Sequence, residues 1–95
     1  MGHEGFEASV RRLARTIRAR RLELNLTQEA VAFEAGISPR HYQQLESGAA
    51  NPTYQTLFEV ARVLSVAVAD LVDPAHRAKI QRFRASRKGS LNRLT

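Results

Sequence analysis

Apolar residues recur along this chain at helical rather than strand spacing, in five stretches separated by turn signals. Val10, Leu13, Ile17 and Leu24 fall on one stripe, which predicts a first helix from Phe6 or Glu7 to Leu24. Asn25, a residue tolerant of the left-handed backbone, follows it. Thr27 is placed to cap a second helix over 28–35, and Gly36 to end it, because tolerance of positive φ permits an abrupt turn. Ser38 caps a third helix that begins at Pro39, where a missing N–H costs nothing and the fixed φ favours helix. Gly48 closes that helix, and Thr53 caps a fourth with a stripe of Tyr54, Leu57, Phe58, Ala61 and Leu64. A short fifth helix covers about 68–72, and the whole pattern is that of an all-α, compact five-helix domain.

The second and third helices are joined so tightly that they must cross steeply, packing Val31, Ala32, Ala35 and Ile37 against Tyr42 and Leu45. On the third helix, 100° steps place Arg40, Gln43, Gln44 and Ser47 on one side and turn Tyr42, Leu45 and Glu46 away. A polar face of that kind is ordinarily just solvated. Its chemistry raises a sharper expectation, because arginine bonds guanine bidentately and glutamine bonds adenine in a groove that admits a helix. Arg21 falls inside the apolar stripe of the first helix, where an unpaired charge is expensive to bury, so it needs a partner.

The segment from Thr27 to Gly48 resembles the helix-turn-helix of phage repressor and Cro-type proteins, the XRE-like family of small bacterial and phage regulators. Matching positions are Arg21, Leu26, Thr27, Gln28, Ala32, Gly36, Ile37, Ser38, Leu45, Glu46 and Gly48, then Pro52, Leu57, Ala61, Leu64, Val66 and Leu71. They span roughly residues 10–72 and include the downstream Asn51-Pro52-Thr53 followed by Leu57, Ala61, Leu64 and Val66. The resemblance implies a repressor-like DNA-binding domain in which Arg21 pairs with Glu46. It further implies that the third helix enters the major groove, where Arg40, Gln43 and Gln44 read base edges and Pro39 lies near a thymine methyl. Gln28, Ser38, His41, Ser47, Asn51 and Thr53 are the expected phosphate contacts, with arginines of the first helix adding to them. Three positions depart from the family pattern: Ser65 replaces a glycine, Ala67 replaces a capping serine, and the loop Ala49-Ala50-Asn51-Pro52 carries no base. The junction before the fifth helix is therefore expected to be less sharply defined.

Charge then divides the chain. The net charge is +6, yet seven Arg and Lys residues and no acid lie from Ala75 onward, leaving eight bases against nine acids before it. Six of those eight (Arg11, Arg12, Arg15, Arg18, Arg20 and Arg21) lie in the first helix. We therefore divide the chain into a helix-turn-helix domain, 1–74, and a basic C-terminal extension, 75–95, with positive charge where a polyanion binder uses it. Solubility alone also accounts for such a tail. Asp73-Pro74 is a helix-start signal, so the extension is either a sixth helix over about 74–87, with Ile80 and Phe83 as anchors, or a basic arm along a DNA backbone.

One recognition helix reads only about 4–6 base pairs, so useful specificity calls for a homodimer on two half-sites. Val66, Val68, Ala69 and Val72 offer the dimer surface, joined by Ile80 and Phe83. Phe33 faces away from the core pattern; it reads either as a partner-facing aromatic or, the preferred expectation, as covered by the N-terminal segment around Phe6 and Val10. The chain has no cysteine and no membrane-length apolar run, and its start lacks the order of a signal peptide, which fits a protein of the bacterial or phage cytoplasm. His3, His41 and His76 are scattered, so no metal, cofactor or catalytic residue is expected, and the chain reads as a binding protein rather than an enzyme. Two alternatives remain open: an antitoxin or bridging module that uses this fold to hold another protein, and non-specific nucleic-acid binding by the basic tail.

Overall fold

The computed structural model describes residues 4–75 together with 82 and 83. Its helices are α1 (Phe6–Glu23), α2 (Gln28–Ala35), α3 (Pro39–Ser47), α4 (Tyr54–Val63) and α5 (Val68–Val72), with no strand among the described residues. Most of the span anticipated for a sixth helix, Ile80 and His76 included, lies outside the described residues.

Local chemistry sets the boundaries. The Ala30 N–H donates to Thr27 Oγ1 at 3.0 Å, the His41 N–H to Ser38 Oγ at 3.0 Å, and the Thr56 N–H to Thr53 Oγ1 at 3.2 Å. Each cap satisfies a donor that the first helical turn leaves without an intrahelical acceptor. Gly36 and Gly48 end α2 and α3 in the left-handed region, at φ of 75° and 78°. At Gly48 a Cβ would also lie 3.6 Å from Arg11 Cγ, so the end of α3 passes close against α1.

The core is a single cluster to which every helix contributes. Leu13 and Ile17 of α1 meet Val31, Ala32 and Ala35 of α2, Tyr42 and Leu45 of α3, Val60 and Ala61 of α4 with Leu64 behind it, and Leu71 of α5. Helix α3 packs on α1 and α2, α2 also packs on α4, and α5 closes the bundle against α1 and α4. Full burial of aliphatic side chains such as Ile17, Val31 and Leu64 contributes about 1.5–3 kcal/mol each.

Arginines join the helices at their ends. Arg20 Nε donates to the Leu64 carbonyl at the end of α4, Arg62 Nη2 to the Glu34 carbonyl near the end of α2, and Arg12 Nη1 to the Val72 carbonyl at the end of α5. The last carbonyls of a helix have no intrahelical donor, so each cation satisfies an orphan acceptor and meets the negative end of the helix dipole. Arg12 is itself held by Glu4, whose carboxyl is kept below its ordinary pKa by that hydrogen bond.

Three sequence expectations need correction. The buried face of α4 is Val60 and Ala61 with Leu57 half-buried, whereas Tyr54 and Phe58 are 70% and 52% exposed. Both stripes share Leu57, Ala61 and Leu64 at helical spacing, so the placement of the neighbouring helices α2 and α5 decides which flank is covered. Phe33 is 82% exposed. The segment expected to cover it lies elsewhere, since Phe6 and Val10 line a groove with Ala49 and Ala50 in the loop after α3. Finally, the junction before α5 is sharply formed: Ser65 takes φ 59°, and Asp70 Oδ2 accepts the Ala67 N–H at 2.9 Å. The serine adopts the left-handed turn itself, and the acid three residues on makes the return half of a capping box.

Candidate nucleic-acid interface

Helix α3 is fixed from behind and open in front. On its inner side Tyr42 and Leu45 are buried in the core. Beside them Arg21 reaches from α1, donating from Nε to Glu46 Oε2 at 2.6 Å and from Nη2 to Glu46 Oε1 at 3.0 Å, with side chains only 10% and 3% exposed. Its remaining nitrogen donates to the Leu26 carbonyl at 2.9 Å, and Gln28 Nε2 adds a bond to Glu46 Oε1 at 3.1 Å. The pair thus ties α1, α2 and α3 together at the base of the turn. Burial opposes the Glu46 charge, but the bonds from Arg21 and Gln28, with the Tyr42 hydroxyl beside them, outweigh it and hold the carboxyl below its ordinary pKa. Donation to the Glu46 carboxylate raises the pKa of Arg21, while burial raises that of the Tyr42 phenol.

The outer side carries Arg40, Gln43, Gln44 and Ser47, all exposed, with Pro39 exposed at the start of the helix. Neither Arg40 nor the two glutamines spends a side-chain hydrogen bond within the described residues, so their donors and acceptors face outward unpaired. The expected phosphate contacts are more divided. Asn51 is exposed with its amide unengaged, and Ser38 uses its oxygen as a cap acceptor while its proton stays available. Ser47 donates its proton to the Gln44 carbonyl, Thr53 shares its hydroxyl with Thr56, and Gln28 has given one N–H to Glu46. His41 is half-buried and its Nε2 is enclosed, which sets it apart from the exposed row.

Two shallow depressions flank the outer side of α3. One, of about 430 Å³, is bounded by Arg18, Gln28, Gln43 and Ser47 over the Arg21–Glu46 pair. The other, of about 360 Å³, lies between the start of α1 and the loop after α3 and includes Arg11, Ser47 and Asn51. The sequence pointed to the first helix as a source of charge without distinguishing these arginines. Their seven-residue separation, two helical turns, was the available signal.

Of the residues named for a dimer surface, Val66, Val68 and Ala69 are half-buried along a groove of about 430 Å³ walled by Tyr54 and Phe58. Val72 and Phe83 are exposed and lie apart from that groove, and Ile80 is outside the described residues.

The helix-turn-helix family HTH_3 matches residues 17–71. Over 54 residues, 57% of this chain and 70% of the relative, the sequence is 44% identical to the uncharacterized HTH-type transcriptional regulator y4dJ of Sinorhizobium fredii. Among solved structures, the clp gene regulator ClgR of Corynebacterium glutamicum superposes with a TM-score of 0.67 at 24% identity, over 90% of this chain and 88% of that one. A hypothetical transcription factor, NHTF, from Neisseria gives 0.68 at 24% identity, over 84% and 94%. At that identity the two structures establish a shared fold. With the family match over most of the described helices and a capped, glycine-closed α2–α3 pair held by Arg21 and Glu46, the chain belongs to the XRE-like helix-turn-helix family.

Proposed function

We propose that this protein is a small transcriptional regulator that binds double-stranded DNA sequence-specifically, with α3 in the major groove. One observation carries the reading: Arg40, Gln43 and Gln44 stand without a side-chain partner among the described residues, on the outer side of a helix whose inner side is locked by Tyr42, Leu45 and the Arg21–Glu46 pair. A base-reading helix needs both properties, because loose donors lose the entropy of ordering on binding and engaged donors have nothing to offer a base edge. Arg40 suits guanine and the glutamines suit adenine. Ser38 and Asn51, with the exposed start of α2 near Gln28, set the register on the backbone.

The working unit in this reading is a homodimer on half-sites about one DNA turn, roughly 34–36 Å, apart, acting as a repressor by occupying the duplex. The groove walled by Tyr54 and Phe58 and floored by Val66, Val68 and Ala69 supports it, as an apolar surface of the kind a second copy covers. The same exposed aromatics, with Phe33, favour a second reading in which the fold holds another protein, as an antitoxin or bridging factor does. The protein works by binding in either reading, without catalysis.

Selection of bound duplexes from a random pool at physiological salt tests the proposal. A palindromic enriched motif supports a dimeric reader, and its half-site spacing measures the dimer. Absence of any enrichment overturns sequence-specific reading: equal affinity for unrelated duplexes then assigns the protein to charge-driven packaging, and no affinity assigns it to the protein-holding role.

A further inference from the structure

The domain's eight arginines separate into two classes. Four are committed: Arg12 to Glu4 and the Val72 carbonyl, Arg20 to the Leu64 carbonyl and Glu23, Arg21 to Glu46 and the Leu26 carbonyl, and Arg62 to Glu59 and the Glu34 carbonyl. The other four, Arg11, Arg15, Arg18 and Arg40, are exposed and make no hydrogen bond or ion pair within the described residues. Arg40 is on the recognition helix, and the remaining three lie on one stripe of α1 at i, i+4 and i+7.

The three do not face the same neighbours. Arg11 lies against the end of α3, its Cγ 3.6 Å from where a Cβ on Gly48 would sit, and it shares its groove with Ser47 and Asn51. Arg18 borders the depression that holds Gln43 and Ser47. Arg15 stands at the edge of that stripe, about 40° round the helix from Arg11, and lines a different depression, between α1 and α5, with Arg12, Arg20, Glu23 and Asp70; its charge also acts on Glu4. Arg11 and Arg18 thus stand two turns apart, about 10 Å along the helix axis, and both meet the recognition helix at Ser47. The loop that follows α3 contains no cation of its own between Gly48 and Thr53.

We infer that Arg11 and Arg18 form a phosphodiester-binding clamp on the flank of α3, gripping the nucleic-acid backbone beside the bases that α3 reads, and that Arg15 takes no part. The inference rests on the DNA-binding reading above and assigns the grip to two particular side chains. Guanidinium groups suit phosphate oxygens by charge and by their forked donors. Arg11 supplies the loop after α3 with the cation it lacks, and among the described residues that line the two depressions the acids are Glu7, beside Arg11, and the committed Glu46.

Arg15 is an internal control: it has the same residue type, helix and exposure, and differs in what it faces. The experiment measures affinity against salt concentration for Arg11→Gln, Arg18→Gln and Arg15→Gln, using a labelled duplex of the enriched sequence and a scrambled duplex. Because the three side chains are exposed and make no hydrogen bond or ion pair within the described residues, melting temperatures should match the parent and confirm that each variant folds. Each clamp variant is expected to flatten the slope of log affinity on log salt by about 0.9, removing a factor of about 3.5 from the affinity lost between 50 and 200 mM salt. The weakening should be equal on both duplexes, since a phosphate contact carries no sequence information. Arg15→Gln should leave the slope at the parent value. Unchanged slopes for Arg11→Gln and Arg18→Gln, or an Arg15→Gln slope as flat as theirs, overturns the clamp while leaving the DNA-binding reading standing. A parent protein that binds neither duplex removes both.

Discussion

The two helix pairs of this domain meet similar structural demands with different residues. In the α2–α3 pair each device has its usual owner: Thr27 and Ser38 cap, Gly36 and Gly48 take positive φ, and the outward side is polar. In the α4–α5 pair Thr53 caps the first helix, but Ser65 adopts the left-handed turn, Asp70 supports the start of the second helix, and Tyr54 and Phe58 stand in solvent. The first pair is built rigid behind and hydrogen-bonding in front, as suits a groove lined with base edges. The second leaves aromatic surface exposed, the property on which the proposed protein-binding role of this face rests. Substitutions in each pair separate these two designs, beginning with the largest effect.

Glu46→Ala is expected to cost about 3–5 kcal/mol, because it leaves the Arg21 guanidinium in a site where only 10% of the side chain is exposed. Glu34→Ala, on the exposed side of α2, should stay within about 0.5 kcal/mol of the parent. Denaturant melts of the two variants check this, and equal midpoints would refute the role of the pair. The same carboxyl gives a pH signature. Its folded pKa lies below the ordinary 4.5, so the pair's contribution is complete above that value and is lost as pH falls through the folded one. Stability of the parent should decline below about pH 4.5, and Glu46→Gln should remove that share of the decline and start from a lower plateau.

Much of the first pair was legible because its signals are local. A threonine, serine or glycine at a boundary acts on backbone groups within four residues, so order along the chain suffices to place caps and turns. Arg21 was readable as a charge on an apolar stripe, and the family resemblance supplied Glu46 as its partner. The second pair was less legible because its outcome depends on distant neighbours. Helical spacing allows two overlapping stripes on α4, and it chose the one with the larger aromatics. Packed on α2 and α5, α4 buries Val60 and Ala61 and leaves Tyr54 and Phe58 outside, along a groove beside the start of α5. The links from Arg12, Arg20 and Arg62 to distant carbonyls have no sequence signature, since any helix end offers the same acceptor. Phe33 shows the same limit, as its coverage depended on where residues 6–10 would lie.

The next effects test the binding role proposed for each pair. Gln44→Ala should leave the melting temperature unchanged and lower discrimination at one base position by about 1–3 kcal/mol, read by comparing the enriched duplex with single-base variants. Phe58→Glu should spare that discrimination. It should weaken self-association by about 1–2 kcal/mol in sedimentation equilibrium, if the groove beside Phe58 is the dimer surface, and affinity for a two-half-site duplex should fall with it. A Phe58→Glu protein that associates as the parent does would assign the aromatic face to a different protein.

The smallest expected effects test the devices themselves. Ser38→Ala removes the acceptor of the His41 N–H and should cost about 1 kcal/mol. Ser65→Gly works in the opposite direction, because an L-residue at φ 59° pays for a contact between Cβ and backbone that glycine lacks. Glycine also gains more freedom in the unfolded chain, which cancels part of the relief. The net should be a stabilisation of roughly 0.5 kcal/mol, seen as a small rise in the denaturant midpoint with an unchanged slope. Gly36→Ser places the same residue types in exchange at the first junction, where space is open around the Cβ and only the backbone conformation at φ 75° resists it. It should therefore lose about what Ser65→Gly gains. Matching magnitudes of opposite sign would mean that the two junctions are one mechanical device; a much larger loss at Gly36 would mean that the α2–α3 turn is under a constraint that the α4–α5 turn does not share.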